Sequence, residues 1–107
     1  MTVEELAGVI LEQTRQVLRG KGYDSQVEAE AVEIRPGPKY TKVDRGPRWG
    51  QGRTEHNMSG FLMIDNVTGA IYGIKGYGQV HKGRYYGTLE TADQWYWGEY
   101  GPRKLAA

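Results

Sequence analysis

The sequence has 107 residues, a formal net charge of +1 and no cysteine. A chain of this length is about one domain with one modest core, and its 38% hydrophobic and 25% charged residues are typical of globular proteins. The small net charge excludes a general polyelectrolyte partner for DNA, and the lack of thiols excludes disulfides and zinc-thiolate sites. We therefore expect a single domain over residues 1–107.

The location of the protein is predicted from three further features. No apolar run approaches the roughly 20 residues of a membrane span. The first five residues lack the basic start of a signal peptide, and the absence of cysteine suits a reducing compartment. We expect a cytoplasmic protein with no membrane partner.

The first predicted element is an amphipathic helix over residues 3–19. Thr2 and Glu5 have the spacing of a capping box, and Gly20 and Gly22 supply left-handed positions for a stop. Apolar residues recur at helical spacing along one stripe: Val3, Leu6, Val9, Ile10, Val17 and Leu18. This stripe predicts a helix that packs on the rest of the domain.

An antiparallel sheet of about five or six strands is predicted over residues 26–89. Alternation from Gln26 to Ile34 indicates a first strand with a bulge near Ala31 and Val32. A second strand over residues 39–45 follows the Pro-Gly-Pro turn. Together with the helix, this sheet predicts an α+β fold.

The middle of the chain predicts two hairpins. Residues 59–65 form an apolar run typical of a central strand covered on both faces, and Gly69 supplies the turn to a partner strand over residues 70–75. Residues 79–86 are expected to form another short hairpin, with its turn at Lys82 and Gly83.

The remaining segments predict a loop and a short helical turn. Residues 46–57 have no hydrophobic period and predict a surface loop, with Arg45, Arg48 and Arg53 on its solvated face. The C-terminal segment 91–107 is predicted to begin with a short helical turn carrying Trp95 and Trp97, two anchors of the core or of an interface, and then to fray.

Signals for catalysis and for metal binding are weak. His56 and His81 are the only histidines, and neither has a second ligand at the spacing of a metal motif. The chain has no Gly-x-Ser-x-Gly motif and no cysteine nucleophile. We expect no enzymatic activity, no metal and no cofactor.

The strongest functional signal is the segment 76–88, where glycines, rings and cations stand side by side. No acidic residue occurs between Asp65 and Glu90. Cations can pair with phosphate, rings can stack on a purine, and a hydroxyl can bind a ribose or phosphate oxygen. The predicted ligand-binding residues are Tyr77, His81, Lys82, Arg84, Tyr85, Tyr86 and Thr88.

A second interpretation of the same segment needs no ligand. In it the tyrosines are half-buried strand residues, the glycines form turns, and the cations are solvated. The type of any single residue favours this interpretation, whereas the segment as a group favours neither of the two.

Short motifs in a fixed order resemble a known family. They are Lys39-Tyr40-Thr41-Lys42-Val43, Phe61-Leu62-Met63-Ile64-Asp65 and Thr68-Gly69-Ala70-Ile71-Tyr72, preceded by a helix and followed by a basic, glycine-containing segment. In this order they resemble the bacteriophage Thoeris anti-defence sponge proteins, over most of residues 39–88.

The resemblance implies a non-enzymatic phage protein that sequesters a cyclic ADP-ribose isomer, the signal made by immune TIR-domain enzymes. Some similar sponges also hold cyclic oligonucleotides. It further implies a homo-oligomer, a dimer or a dimer-based hexamer, that binds its ligand between subunits in the host cytoplasm during infection. Residues 73–77 and 86–89 depart from the family's lysine-rich and Arg-Gly-Asn-like elements, which leaves the identity of the ligand open.

Two other functions fit the same composition. The first is a phage structural or protein-interaction module, because tyrosine, tryptophan and arginine are also favoured at interface hot spots. The second and weaker alternative is a small binder of single-stranded nucleic acid, which uses rings and cations as well.

Overall fold

The computed structural model describes residues 1–47, 59–75, 79–99 and 101–105. The elements follow in this order: α1 (Val3–Gly20), α2 (Asp24–Ala29), β1 (Glu30–Arg35), β2 (Tyr40–Pro47), β3 (Ser59–Asp65), β4 (Ala70–Lys75), β5 (Gln79–Thr88), a 3-10 helix (Leu89–Gln94), β6 (Trp95–Tyr96) and β7 (Arg103–Lys104). The predicted α+β class is confirmed. Within these residues, no helix combines the length and the apolar character needed to cross a membrane.

Helix α1 begins and packs as the sequence predicts. The Glu5 N–H donates to the Thr2 hydroxyl at 3.1 Å, and the Thr2 N–H donates to the Glu5 carboxylate at 2.8 Å. These hydrogen bonds lower the pKa of Glu5. The left-handed residue at the end of the helix is Gly22, with φ 78°, whereas Gly20 is still helical.

The five long strands form one antiparallel sheet in the order β1-β2-β3-β4-β5, so each strand pairs with its neighbour in sequence. In the central strand β3, Leu62, Met63 and Ile64 are all buried, as expected of a strand covered on both faces. The core lies between α1, the sheet and the C-terminal segment: Leu6, Ile10, Val43, Leu62, Ile64, Ile71, Ala92 and Trp97.

The prediction that the first strand begins at Gln26 is wrong, because these residues form α2. One helical turn can show the same alternation of Val27 and Ala29. A residue of α1 stabilises this turn, because the Arg15 Nε donates a hydrogen bond to the Val27 carbonyl at 3.2 Å. Strand β1 then pairs with β2 in unbroken register, so the predicted bulge near Ala31 is also wrong.

The predicted hairpin over residues 79–86 is wrong as well. Residues 79–88 form the single strand β5, which pairs with β4. His81 faces Gly73 and Tyr85 faces Tyr72, so residues 82–84 lie between two successive pairs and form a bulge. Gly83 does not form the predicted turn, because the residues on both sides of Gly83 pair with β4.

The C-terminal segment is more ordered than predicted. The helical turn is present as the 3-10 helix, but Trp95 and Trp97 follow it and are not part of it. Strand β7 pairs with β6, and the Leu105 N–H donates to the Gln94 carbonyl at 2.8 Å, so the described tail does not fray.

The prediction of a loop over residues 46–57 is wrong for its first two residues. Gly46 and Pro47 belong to β2. Residues 48–57 of that prediction, with Arg48, Arg53 and His56, lie outside the described residues.

Candidate functional site

Arg45 lies in the walls of two cavities, and the expectation that it is solvated is wrong. Its guanidinium lies 3.7 Å from the centroid of the Phe61 ring. Its Nη1 donates to the Trp97 carbonyl at 2.8 Å and to the Thr14 hydroxyl at 3.3 Å, and its Nη2 donates to the Glu99 carbonyl at 3.2 Å. Burial lowers the pKa of Arg45, so the fold holds a partly desolvated cation in a fixed position.

A first cavity of about 100 Å³ opens beside this guanidinium. Arg45 and Phe61 form one part of its wall, and Arg84 and Tyr86 of β5 form another. Between them lies Gly73 of β4, where an added Cβ would sit 3.1 Å from the Arg84 Cβ. The missing side chain at Gly73 therefore makes room for Arg84, which the bulge in β5 directs towards the cavity.

Two of the predicted ligand-binding residues, Arg84 and Tyr86, thus share a cavity. Tyr85 lies on the opposite face of β5, because side chains alternate along a strand. Its ring pairs with that of Tyr72 at 5.7 Å between centroids, and the residue is 52% exposed. Tyr85 therefore cannot reach a ligand bound beside Arg84 within one copy of the chain.

Three other predicted residues, His81, Lys82 and Thr88, do not line this cavity. Lys82 is exposed and His81 is half-buried, and neither lines the wall. Thr88 ends β5, where its N–H donates to the Thr91 hydroxyl at 3.0 Å. Tyr77 lies outside the described residues.

The ring of Tyr86 is occupied by packing inside the chain. It meets Trp95 edge-on at 5.5 Å and Trp97 edge-on at 6.2 Å between centroids. Its hydroxyl points the other way, 3.4 Å from where a Cβ of Gly73 would lie. Tyr86 can therefore offer a hydrogen bond to a ligand in the cavity, whereas its ring already packs against indoles.

Gly87 also serves the fold. Its φ is 80°, and an added Cβ would lie 2.6 Å from the Thr91 hydroxyl and 3.0 Å from the Trp95 Nε1. The space beside Gly87 is thus filled by the chain's own side chains, which leaves no room there for a ligand to approach the backbone.

A second cavity, of about 560 Å³, also has Arg45 in its wall. Residues from α1, from α2 and from the C-terminal segment complete it, together with Glu30 at the start of β1. Glu30 is only 5% exposed, and its Oε1 has no hydrogen-bond partner among the residues that the structure describes. Burial raises the pKa of Glu30, and the charge of Arg45 opposes that effect.

The sequence did contain a signal for Arg45 and Glu30. Glu30 alternates in phase with Val32, and Arg45 lies two residues beyond the buried Val43. A charged residue at an inward position of a strand is costly unless it is paired or bound, and so it marks a candidate site.

No group of three or more histidine, aspartate or glutamate side chains in the described ranges is placed to hold a metal ion. Comparisons with protein-family models, with curated proteins and with solved structures find no significant match.

Proposed function

We propose that the protein binds a small phosphate-bearing nucleotide without turnover, with Arg84 as the cation that contacts the phosphate. The observation that carries this proposal is that Arg84, the Tyr86 hydroxyl and Arg45 meet at one cavity. Within the described part of the chain, the Arg45 guanidinium donates three hydrogen bonds, and it contributes positive charge. Arg84 is exposed and can offer its planar fork to a phosphate.

The size of this cavity limits what it can hold. Small-molecule sites usually enclose about 300–1,000 Å³. A cavity of about 100 Å³ accepts a phosphate group, and the rest of a nucleotide must be covered by something else. A second copy of the chain is the simplest cover, since it would bury the ligand and strengthen each charged contact.

The finer proposal follows the resemblance. A phage anti-defence sponge for a cyclic ADP-ribose isomer or a cyclic oligonucleotide must hold its signal at trace concentration in the host cytoplasm. Nanomolar affinity corresponds to about 12 kcal/mol, more than one arginine and one hydroxyl supply. We therefore include a homo-oligomer, a dimer or a dimer-based hexamer, in the proposal.

A thermal-shift screen tests the ligand class. Cyclic ADP-ribose isomers and cyclic dinucleotides are expected to raise the melting temperature of the wild-type protein. Arg84→Ala should lose that shift, whereas the control Arg19→Ala should keep it, because Arg19 is exposed and lines neither cavity. A shift that survives in Arg84→Ala would contradict the assignment of the phosphate to this residue.

A second candidate function is docking onto a larger protein. It is favoured by the exposed ring of Tyr85 beside Tyr72, on the face opposite the Arg84 cavity. The same screen separates the candidates, since a docking module would respond to none of the nucleotides. A response to oligonucleotides alone, falling steeply with salt, would instead indicate a binder of single-stranded nucleic acid.

A further inference from the structure

A third cavity, of about 360 Å³, lies beside the turn between β1 and β2. Arg35 of β1, Lys42 of β2 and Met63 of β3 are direct partners across the three strands, so their side chains lie on the same face of the sheet. That face is opposite the core face, on which Val43 and Leu62 lie. The third cavity shares no lining residue with the first two.

The charges around this cavity favour an anionic ligand. Its lining includes three cations and no carboxylate among the residues that the structure describes. One of the cations, Arg35, is already paired, with its Nε 2.6 Å from the Asp44 Oδ2. Lys42 lies directly opposite Arg35, and like charges in this position destabilise a sheet. Lys42 is half-buried and has no hydrogen-bond or ion-pair partner within the described ranges, so its charge is available to an anion.

Lys39 supplies a second positive charge at the rim. Its ammonium lies 5.6 Å from the centroid of the Tyr40 ring. The charge of Lys39 acts on the Asp65 carboxylate, but that carboxylate accepts the N–H groups of Val67 and Thr68 at 2.8 and 3.0 Å. These two hydrogen bonds are the main cause of the lowered pKa of Asp65, and Lys39 is a smaller one. Most of the charge of Lys39 therefore remains available to a ligand.

The apolar part of the cavity is fixed before any ligand binds. Its walls are formed by the Pro-Gly-Pro turn of residues 36–38 and by Tyr40. Asn66, in the turn between β3 and β4, holds this segment: its Nδ2 donates to the Gly37 carbonyl at 2.7 Å, and its N–H donates to the Lys39 carbonyl at 3.0 Å. A rigid wall lowers the cost of ordering on binding. The volume lies within the range of about 300–1,000 Å³ that is usual for small-molecule sites.

We propose that this third cavity is a further binding site, which takes a small organic anion with an aromatic body, such as an aromatic carboxylate. The anionic group pairs with Lys42 and Lys39, and the ring lies against the prolines and Tyr40, above Met63. The site uses neither Arg84 nor the first cavity, so it does not depend on the proposed binding of a nucleotide there.

Indole-3-acetate and indole-3-acetamide make a matched pair of probes, because they share the ring and nearly the same shape and differ in charge. Calorimetric titration of the wild-type protein should show indole-3-acetate binding at least about tenfold more tightly, since hydrogen bonds to charged groups are stronger than neutral ones. Acetate, which lacks the ring, should not bind at the same concentrations. Lys42→Met should abolish the preference, whereas the control Lys75→Met, exposed on β4 and outside this lining, should preserve it.

Two more measurements need no variant at Lys42. Methyl NMR of the wild-type protein should show the Met63 methyl signal shifting with indole-3-acetate. Arg84→Ala should bind indole-3-acetate as the wild type does, even if it loses nucleotide binding. Equal affinity for the two indoles, no binding of either, a preference that survives in Lys42→Met, or a Met63 signal that does not move would overturn the proposed site.

Discussion

Arg45 is a charged residue whose burial the fold compensates with contacts distant in sequence. Its guanidinium lies over Phe61 and donates to the carbonyls of Trp97 and Glu99, which are 52 and 54 residues further along the chain. Such partners leave no local pattern, so the sequence predicted a solvated arginine. The one indication in the sequence that Arg45 faces inward was its spacing, two residues beyond the buried Val43 on the same strand.

Replacing Arg45 tests this role. Arg45→Met should lower the free energy of unfolding by about 2 kcal/mol, because it leaves the part-buried Trp97 carbonyl without its charged donor and the buried Glu30 carboxyl without its nearby cation. The control Arg84→Met should change it by less than about 0.5 kcal/mol, since Arg84 is exposed. Urea unfolding measures both. Similar losses in the two variants would mean that Arg84 is structural too.

The buried carboxyl of Glu30 predicts a pH dependence. Because burial raises its pKa above the ordinary value of 4.5, the folded state holds this proton more tightly than the unfolded chain. The free energy of unfolding should therefore fall as pH rises from about 4.5 through the raised pKa. The charges of Arg45 and Arg15 and a hydrogen bond from Gln26 oppose the shift and limit its size.

Glu30→Gln should remove this part of the pH profile, while Glu28→Gln, which is exposed, should leave it in place. Urea unfolding at a series of pH values measures this difference between the two profiles. A range of about pH 4 to 8 is suitable, because carboxyl groups and histidines titrate there. Parallel profiles for wild type and Glu30→Gln would show that the carboxyl does not retain its proton in the fold.

At the level of elements, the sequence predicted correctly the features that depend on contacts between residues close together in the chain. The capping box of α1 and the turn between β3 and β4 depend on residues within a few positions of each other. In that turn the Asp65 carboxylate accepts the N–H groups of Val67 and Thr68 at 2.8 and 3.0 Å, which lowers the pKa of Asp65. Strand β5 was mispredicted because its pairing with β4, which no local pattern records, overrides the turn signal at Gly83.

Two glycines in these correctly predicted elements should respond in opposite directions to alanine. Gly69→Ala should lower the free energy of unfolding by about 1–2 kcal/mol, because Gly69 has φ 76°. Gly8→Ala should raise it by about 0.5–1 kcal/mol, because Gly8 lies within α1 with open space around it. Thermal and urea unfolding of both variants measure this, and the same sign for both would contradict the assigned backbone conformations.

At the level of the whole molecule, the candidate site depends on elements far apart in the sequence. Strands β2, β3, β4 and β5 and Pro102 all contribute to the Arg84 cavity. The sequence identified Arg84 and Tyr86 from local composition. Strand alternation is enough to separate Tyr85 from them, but Lys82 has the same spacing parity as Arg84, and only the bulge at residues 82–84 sets it apart. Because the cavity is too small to enclose a nucleotide, the proposal includes a second copy of the chain that covers the ligand.

The proposed oligomer is tested by the mass of the protein in solution. Light scattering after size-exclusion chromatography should give a mass of at least twice 12.1 kDa for the wild-type protein. Addition of a binding nucleotide should stabilise that assembly against dilution, since a ligand between copies links binding to association. A monomer of unchanged mass with and without a bound nucleotide would contradict a site shared between copies.

The central claim, that Arg84 holds the phosphate of a nucleotide that the protein does not consume, is tested most directly by identifying what the protein carries. Wild-type protein and Arg84→Ala are purified from cells in which TIR-domain enzymes are signalling, then heated, and the released small molecules are analysed by mass spectrometry. The account predicts an intact cyclic, phosphate-bearing nucleotide from the wild type and a strongly reduced amount from Arg84→Ala. Release of no nucleotide, or of equal amounts from both proteins, would contradict it.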